Sequence, residues 1–159
     1  MAKELPIIIN PNPILRKKSI PLKLSEINSA SFRRLLADME ETMLKKDGAG
    51  LAAPQIGRNI RLVVLAKEKT TLFMINPRIC TKSWAKSVAE EGCLSVMSED
   101  GEIIYGPVAR HKKVSCAYID EKGQNRKISA TDMLARAIQH EIDHLDGILF
   151  IDKLSGGKK

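Results

Sequence analysis

The pattern of apolar and polar positions predicts an extended arm followed by a helix. Residues 5–24 interleave short apolar pieces with prolines, which is typical of a segment laid over a core rather than of a helix. Apolar residues then recur every three or four positions up to about Lys46, with charged residues between them. Ser25 is the expected N-cap of this first helix, and Gly48 is expected to serve its C-terminus.

From residue 60 onward the pattern changes to short apolar runs, which predict strands. The runs expected to be strands are 61–66, 72–76, 84–89, 103–105, 114–119, 126–129 and 150–154. Polar residues separate the first two runs, and a turn containing Gly123 separates 114–119 from 126–129, so we expect two hairpins.

A second helix is predicted near the C-terminus. Thr131 is its expected N-cap, and Gly147 is expected to end it. Its predicted buried stripe consists of Leu134, Ile138, Ile142 and Leu145. We therefore predict an α+β fold in which mixed or antiparallel β-sheets pack around a central C-terminal helix, with a second helix near the N-terminus. A single domain is expected over 1–159, with a flexible tail from about 155.

Composition supports an ordinary globular domain. The chain has 159 residues, of which 43% are hydrophobic and 28% charged. Apolar runs are too short to span a bilayer, and the run near the N-terminus is too short for a signal peptide. The expected location is the cytoplasm, with no membrane association.

The net charge of +7 favours polyanions only in a general way. Basic residues are dispersed along the chain, aromatic residues make up only 4%, and no nucleic-acid motif appears. We expect a solvated basic surface and no sequence-specific nucleic-acid binding. Transient proximity to ribosomal RNA is compatible with this charge.

The strongest chemical signal is His-Glu-x-x-His at 140–144. On a helix, His140 and His144 lie about one turn apart on one face, so both imidazoles can reach one metal ion. Glu141 projects beside that pair, which suits a carboxylate that takes a proton from water at the metal.

A catalytic metal needs a third protein ligand and an open position. The chain has three cysteines, an odd number without disulfide spacing, so we expect reduced thiols. Cys93 is the preferred ligand because Gly92 permits an unusual backbone course beside it. Cys80 and Cys116 are interpreted as small buried apolar residues.

The segment 48–57 combines small residues, a proline and Gln55. Small side chains allow another backbone or a peptide to approach, and a neutral amide donor can face a developing oxyanion. A tight loop without function is the alternative, and glycine content alone favours it.

Three segments together resemble the signature motifs of peptide deformylase. They are Gly-Ala-Gly-Leu-Ala-Ala-Pro-Gln (48–55), Glu-Gly-Cys-Leu-Ser (91–95) and Gln-His-Glu-Ile-Asp-His-Leu (139–145). The resemblance implies that Cys93, His140 and His144 bind the metal and that Glu141 is the catalytic carboxylate. It also implies that Gln55 and the backbone amide of Leu94 face the oxyanion.

The implied activity is removal of formate from N-formylmethionine at the start of new polypeptides. The substrates are then N-formylmethionyl peptides and nascent chains, and the backbone around Ala49, Gly50 and Gly92 is expected to pair with them as an added strand. The resemblance implies Fe(II) as the physiological ion, while zinc, nickel or cobalt also suit a Cys and two His. The expected setting is a bacterial cytoplasm, or an organelle after loss of a transit peptide.

One segment departs from the family pattern. The family commonly has a Pro-Gly turn after Val96, whereas this chain has a different sequence over 97–106, which we expect to alter the rim of the substrate cleft. Nearby, Arg110 is expected to form a structural ion pair with Glu91. Arg136 is expected either to flank the cleft with its aliphatic stem or to lie on the surface.

Two rival functions also fit parts of the sequence. A zinc peptidase also carries His-Glu-x-x-His, but its third ligand is usually a downstream Glu or His, and this chain has neither after His144. A metal-binding module without catalysis would not need Glu141, Gln55 and Cys93 together. Formyl-peptide turnover without cleavage of internal peptide bonds distinguishes these functions.

Overall fold

The computed structural model describes residues 1–156 and confirms the α+β class. The helices are α1 (Leu24–Ile27), α2 (Ala30–Lys45) and α3 (Asp132–Leu145), with 3-10 turns at Pro13–Arg16, Ala53–Ile56 and Phe150–Lys153. The strands are β1 (Gly50–Ala52), β2 (Leu62–Lys67), β3 (Thr70–Lys82), β4 (Lys86–Met97), β5 (Ile103–His111), β6 (Lys113–Ile119) and β7 (Asn125–Thr131).

The predicted N-terminal helix is split in two, and its predicted cap was wrong. Ser25 lies inside the short helix α1, whereas the Oγ of Ser29 accepts a 3.1 Å hydrogen bond from the Phe32 amide and caps α2. Gly48 closes the other end as expected, because its amide donates to the Met43 carbonyl at 3.0 Å.

Five strands form one antiparallel sheet in the order β1-β2-β3-β6-β7. Both predicted hairpins, β2–β3 and β6–β7, lie in this sheet, and the β6–β7 turn contains Gly123 at φ +79°. Helix α2 covers one side of the sheet through Phe32, Leu36, Met39 and Met43. Strand β1 lies at the edge of this sheet, and among the strands of residues 1–156 it pairs with β2 alone.

Strands β4 and β5 form a separate two-stranded ribbon. Both are longer than the predicted 84–89 and 103–105, because pairing continues across residues whose side chains do not alternate in polarity. The registered pairing is interrupted between Gly92 and Met97 on β4. Cys93 and Leu94 lie in this irregular stretch.

Helix α3 covers the other side of the five-stranded sheet. Its buried residues Ala135, Ile138, Ile142 and Leu145 pack with residues of β2, β3, β6 and β7. Gly147 follows the helix at φ +75°, as predicted for its end. Thr131 occupies the N-cap position, but its side chain makes no capping hydrogen bond.

Two further expectations concern the chain ends. The predicted strand at 150–154 was wrong, because the Asp152 carboxylate accepts a 3.0 Å hydrogen bond from the Leu149 amide and closes a 3-10 turn there. Within the predicted tail, the Ser155 amide donates to the Pro107 carbonyl at 2.7 Å. Residues 157–159 lie outside the described part of the chain.

The N-terminal arm lies over the core, as expected. The Ile8 amide donates to the Gln55 carbonyl at 2.7 Å, and the Asn10 amide to the Ser95 carbonyl at 2.8 Å. The arm therefore contacts both segments that flank the candidate site. Among residues 1–156, no helix is long and apolar enough to cross a membrane.

Candidate active site

Helix α3 presents two histidines at its polar side. The ring centroids of His140 and His144 are 5.0 Å apart, as expected for positions one turn apart on a helix. The His144 residue is 1% exposed, and burial lowers the pKa of its imidazole well below the usual value. A neutral imidazole is the form that binds a metal.

Strand β4 brings Cys93 to the same place. Its Sγ lies 3.2 Å from Nε2 of His144, and the ligand atoms of Cys93, His140 and His144 all lie within 4.8 Å of one another. Such spacing lets one ion contact all three atoms, and a thiolate with two imidazoles suits zinc or ferrous iron. These residues form a group that can hold a metal.

Glu91 anchors one of the histidines. Its carboxylate lies 2.8 Å from Nδ1 of His140, which leaves Nε2 of that ring for the metal. Burial raises the pKa of Glu91, but hydrogen bonds from His140 and Arg110 outweigh burial and hold it well below its usual range. Burial lowers the pKa of His140, whereas hydrogen bonds with Cys93 and Glu91 raise it to about 10.

Two arginines saturate the Glu91 carboxylate. Nε and Nη2 of Arg110 donate to its two oxygens at 3.0 and 2.9 Å, so the predicted ion pair is confirmed. Nη1 of Arg136 donates to Oε2 at 2.7 Å, and Arg136 is only 6% exposed, so the surface alternative for this residue was wrong.

The sequence-based interpretation missed the contact between Glu91 and His140. The spacing of Glu91 and Cys93 is a signal for this contact. Residues two apart on a strand face the same side, so Glu91 faces the candidate metal site together with Cys93.

Glu141 lies beside the metal-binding group in a buried position. It is 4% exposed, and among the described residues its Oε2 has no hydrogen-bond partner. Burial is the main cause that raises the pKa of Glu141 to about 7. A carboxylate with that pKa can both accept and release a proton near neutral pH.

Gln55 is oriented by the backbone of its own segment. Its Oε1 accepts a 2.9 Å hydrogen bond from the Ala52 amide, so its amino group points the other way. Nε2 then lies 3.5 Å from Sγ of Cys93 and 3.1 Å from Oγ of Ser95. A neutral amide donor is thus held close to the cysteine, and Ser95, which ends the 91–95 motif but received no role from the sequence, helps to orient it.

A cavity of about 640 Å³ opens over these residues. Ala49 and Gly50 at the start of β1, Gly92 and Leu94 of β4, and Glu141 of α3 all line it. A Cβ atom on Gly50 would lie 2.7 Å from Oε1 of Glu141, so only glycine leaves the carboxylate room here. Residues of β1, β4 and α3 therefore form the walls of the cleft.

The divergent segment contributes to this cleft. Ile103 and Tyr105 line it, and a Cβ on Gly92 would lie 2.6 Å from the ring of Tyr105. Tyr105 is 65% exposed. The segment thus forms part of the rim, while the three candidate metal ligands lie elsewhere.

Comparison with known proteins gives a consistent result. The family model for polypeptide deformylase matches residues 4–159. The chain is 43% identical to a peptide deformylase of Rhizobium meliloti, with 97% of this chain and 87% of that protein covered. It is 48% identical to one from Syntrophomonas wolfei, with coverage of 92% and 91%.

Solved structures give the same match in three dimensions. A class I type b peptide deformylase from Acinetobacter baumannii, bound to Met-Ala-Ser, is similar with a TM-score of 0.90 and 33% identity, over 97% of this chain and all of that chain. The peptide deformylase of Thermotoga maritima gives a TM-score of 0.87 and 35% identity, with coverage of 96% and 98%.

Proposed function

The chain belongs to the peptide deformylase family, hydrolases that remove the formyl group from N-terminal N-formylmethionine, and on that premise we propose which of its residues perform the reaction. The observation that carries the proposal is the convergence of Cys93, His140 and His144 within 4.8 Å, beside the buried carboxylate of Glu141. Residues 1–159 act as one catalytic domain in this proposal.

Cys93, His140 and His144 would hold one divalent metal ion. When bound, that ion would supply Lewis acidity, which lowers the pKa of water and polarises a carbonyl oxygen. Glu91 fixes the tautomer of His140 by accepting its Nδ1 proton, and this contact supports Nε2 as the ligand atom. Fe(II) is the proposed physiological ion, with zinc, nickel or cobalt as ions that the same ligands accept.

Glu141 moves the proton. Its unpartnered Oε2 accepts a proton from the attacking water, and oxygen then adds to the formyl carbon. The same carboxyl delivers that proton to the amide nitrogen as the carbon–nitrogen bond breaks. Formate and a free amino terminus result, so one residue serves as base and then as acid. Its pKa of about 7 suits both steps.

Gln55 and Leu94 stabilise the negative charge that develops on the formyl oxygen. The Gln55 amide is already oriented by the Ala52 amide, so little reorganisation is needed when charge appears. The Leu94 backbone amide supplies the second donor from the irregular part of β4. Loss of one such donor costs about 3–4 kcal/mol of transition-state stabilisation in comparable sites.

The substrate lies in the cleft as an added strand. The backbone around Ala49, Gly50 and Gly92 pairs with the main chain of the peptide, so recognition does not depend on most side chains. The methionine side chain occupies an apolar part of the 640 Å³ cavity beside α3, where Leu134 and Ala137 form the wall. Small residues at 49, 50 and 92 leave the required space.

The substrates are N-formylmethionyl peptides and nascent chains. Related deformylases from bacteria support a bacterial cytoplasm as the setting. Transient proximity to the ribosome follows from a nascent substrate and is compatible with the net charge of +7. Neither sequence-specific nucleic-acid binding nor membrane association is part of the proposal.

The test measures formate release from formyl-Met-Ala-Ser by protein purified without oxygen, with its metal content counted. Glu141→Ala should retain the metal and abolish turnover, because only the proton acceptor is lost. An unformylated peptide with internal bonds serves as control and should remain uncut, in contrast to the behaviour of a zinc peptidase. A full metal site without formate release would refute the proposed function.

Metal identity has its own test. An Fe(II) ion beside a thiolate should be oxidised in air, so aerobic preparation should lower activity, whereas Ni(II) or Co(II) substitution should preserve it. Equal stability in air for all metal forms would argue against iron.

A further inference from the structure

The ligands of the candidate metal site come from two elements with separate apolar cores. His140 and His144 lie on α3, whose buried apolar residues pack with the five-stranded sheet. Cys93 lies on β4 and packs instead with Val96, Leu149 and other residues outside that cluster. The His140 ring stacks on Phe150 of the Cys93 cluster with centroids 6.3 Å apart, but the two clusters share no residue, so polar contacts between α3 and the β4–β5 ribbon also set the distance between the cysteine and the histidines.

Arg136 bridges these two elements. It lies on α3 one turn before His140, and its Nη1 donates to the Val108 carbonyl of β5 at 2.8 Å. Its Nη2 donates to the Ser87 carbonyl of β4 at 2.7 Å. The guanidinium thus binds backbone of both strands of the ribbon, besides its bond to Glu91.

Charge neutralisation does not account for this arrangement. The fork of Arg110 already engages both oxygens of Glu91, with bonds of 3.0 and 2.9 Å. Arg136 adds only one further bond to that carboxylate. The two bonds from Arg136 to backbone carbonyl oxygens instead fix helix α3 relative to β4 and β5. A planar guanidinium can make these three bonds at the same time.

We propose that Arg136 is a positioning residue that sets where the sulfur of Cys93 lies relative to His140 and His144. This inference rests on the proposed function only for the identity of the reaction, because the geometry of the metal site is measurable by itself. Arg136 contributes through backbone carbonyls of β4 and β5, and through Glu91, which holds the His140 ring.

Two variants and one control separate this role from simpler ones. Arg136→Met keeps an unbranched apolar stem against the cavity and removes the guanidinium. Arg136→Lys keeps a buried cation without the planar fork. Arg126→Met is the control, because Arg126 is an exposed arginine of the β6–β7 hairpin whose side chain bonds to Asp120 and Gln124 rather than to residues of the site.

The measurements are Co(II) affinity by competition with a chelator, the visible absorption spectrum of the Co(II) protein, and kcat and KM for formate release. Arg136→Met should weaken Co(II) binding about 10- to 100-fold, the range for loss of a residue that supports a metal ligand. Its Co(II) spectrum should change, and kcat should fall more than KM rises. Arg136→Lys should recover little of the affinity, and Arg126→Met should match the parent.

Several outcomes would overturn the inference. Parental Co(II) affinity and spectrum in Arg136→Met would show that the guanidinium does not position the ligands. Full recovery by Arg136→Lys would show that charge alone matters. If Arg136→Met fails to fold, the comparison of Arg136→Lys with the parent decides the matter. A parent that binds Co(II) but releases no formate would refute the proposed function and leave the positioning role standing.

Discussion

Helix α3 contacts its surroundings in two different ways on two sides. Toward the five-stranded sheet it presents aliphatic side chains such as Ile138 and Leu145, both fully buried. Toward the β4–β5 ribbon it presents polar groups, among them Arg136, Gln139 and Asp143. The two histidines and Glu141 lie on the helix between these sides.

The two sides of α3 have different roles: the apolar side mainly stabilises the fold, and the polar side mainly sets the geometry of the metal site. Apolar burial is non-directional and stabilises the helix on the sheet without fixing exact atomic positions. Hydrogen bonds are directional, so bonds such as Gln139 Nε2 to the His111 carbonyl at 2.9 Å fix the helix against the ribbon. Changes on the apolar side should lower stability, whereas changes on the polar side should alter the metal site as well.

The largest loss of stability and metal affinity is expected when the ion pairs of Glu91, the β4 residue that faces the polar side of α3, are disrupted. Glu91→Gln removes the charge that pairs with Arg110, Arg136 and His140, all largely buried. Leaving buried cations without their partner should lower the free energy of unfolding by about 3–5 kcal/mol. Co(II) affinity should fall about 10- to 100-fold, because His140 loses its anchor.

Urea unfolding and chelator competition measure the two effects of Glu91→Gln. Glu90→Gln is the matched control, since Glu90 is exposed and belongs to none of these ion pairs. A Glu91→Gln protein as stable as the control, with parental metal affinity, would remove the proposed distinction between the two sides of the helix.

Ile138→Ala disrupts the packing on the apolar side of α3. Ile138 is fully buried against the sheet, so the variant should lose about 2–5 kcal/mol of unfolding free energy through lost transfer and a residual cavity. Formate release per folded molecule and Co(II) affinity should stay at parental values. Ile138→Val, expected to cost about 0.5–1.5 kcal/mol, is the graded control. A changed Co(II) spectrum in either variant would mean that apolar packing also positions the ligands.

The same two sides differ in how far sequence predicts them. The apolar stripe of α3 follows from helical periodicity, and Ile138, Ile142 and Leu145 are buried as predicted. His140 and His144 are brought together by the same local geometry. Placing Cys93 against them depends on how β4 meets α3, which spacing along the chain does not encode. Gly92 beside it favours Cys93 only modestly over the other cysteines, and family resemblance, rather than periodicity, identifies it as the expected ligand.

Hydrogen bonds from side chains to nearby backbone amides account for two predictions that were wrong. Ser25 is the expected cap, but a turn after α1 places Ser29 at the start of α2, where its side chain accepts from the Phe32 amide. Residues 150–154 have the composition of a strand, but Asp152 binds the Leu149 amide and favours a turn. Neither outcome could be read from apolar spacing, because side-chain hydrogen bonds to nearby backbone decided both.

The stability contributed by a thiol buried on the apolar side should depend on pH. Burial raises the pKa of Cys116 on β6 to about 11, from a usual value of 9.0. The neutral thiol is thus favoured in the folded protein, so its contribution is complete below pH 9 and is lost as pH rises toward 11. A shift of this size corresponds to about 2–3 kcal/mol at most.

Cys116→Val keeps a compact apolar side chain, slightly larger than the thiol, and removes the titration. Urea unfolding at several pH values should show a steeper loss of stability between pH 9 and 11 in the parent than in the variant. Cys80→Val provides a control, because Cys80 is only partly buried. Parallel curves for parent and Cys116→Val would show that the thiol titrates alike in the folded and unfolded chain.

The smallest effect is expected for an ion pair outside both sides of α3. Arg16 of the N-terminal arm pairs with Asp152, and their side chains are 41% and 39% exposed. Water solvates both charges, so Arg16→Met should change the free energy of unfolding by less than about 1 kcal/mol. That difference should shrink further in 1 M salt, where screening acts within about 3 Å. The opposite result would be that Arg16→Met loses as much unfolding free energy as Glu91→Gln and keeps that loss at high salt. That result would show that burial does not explain why the ion pairs on the polar side of α3 contribute more than exposed ones.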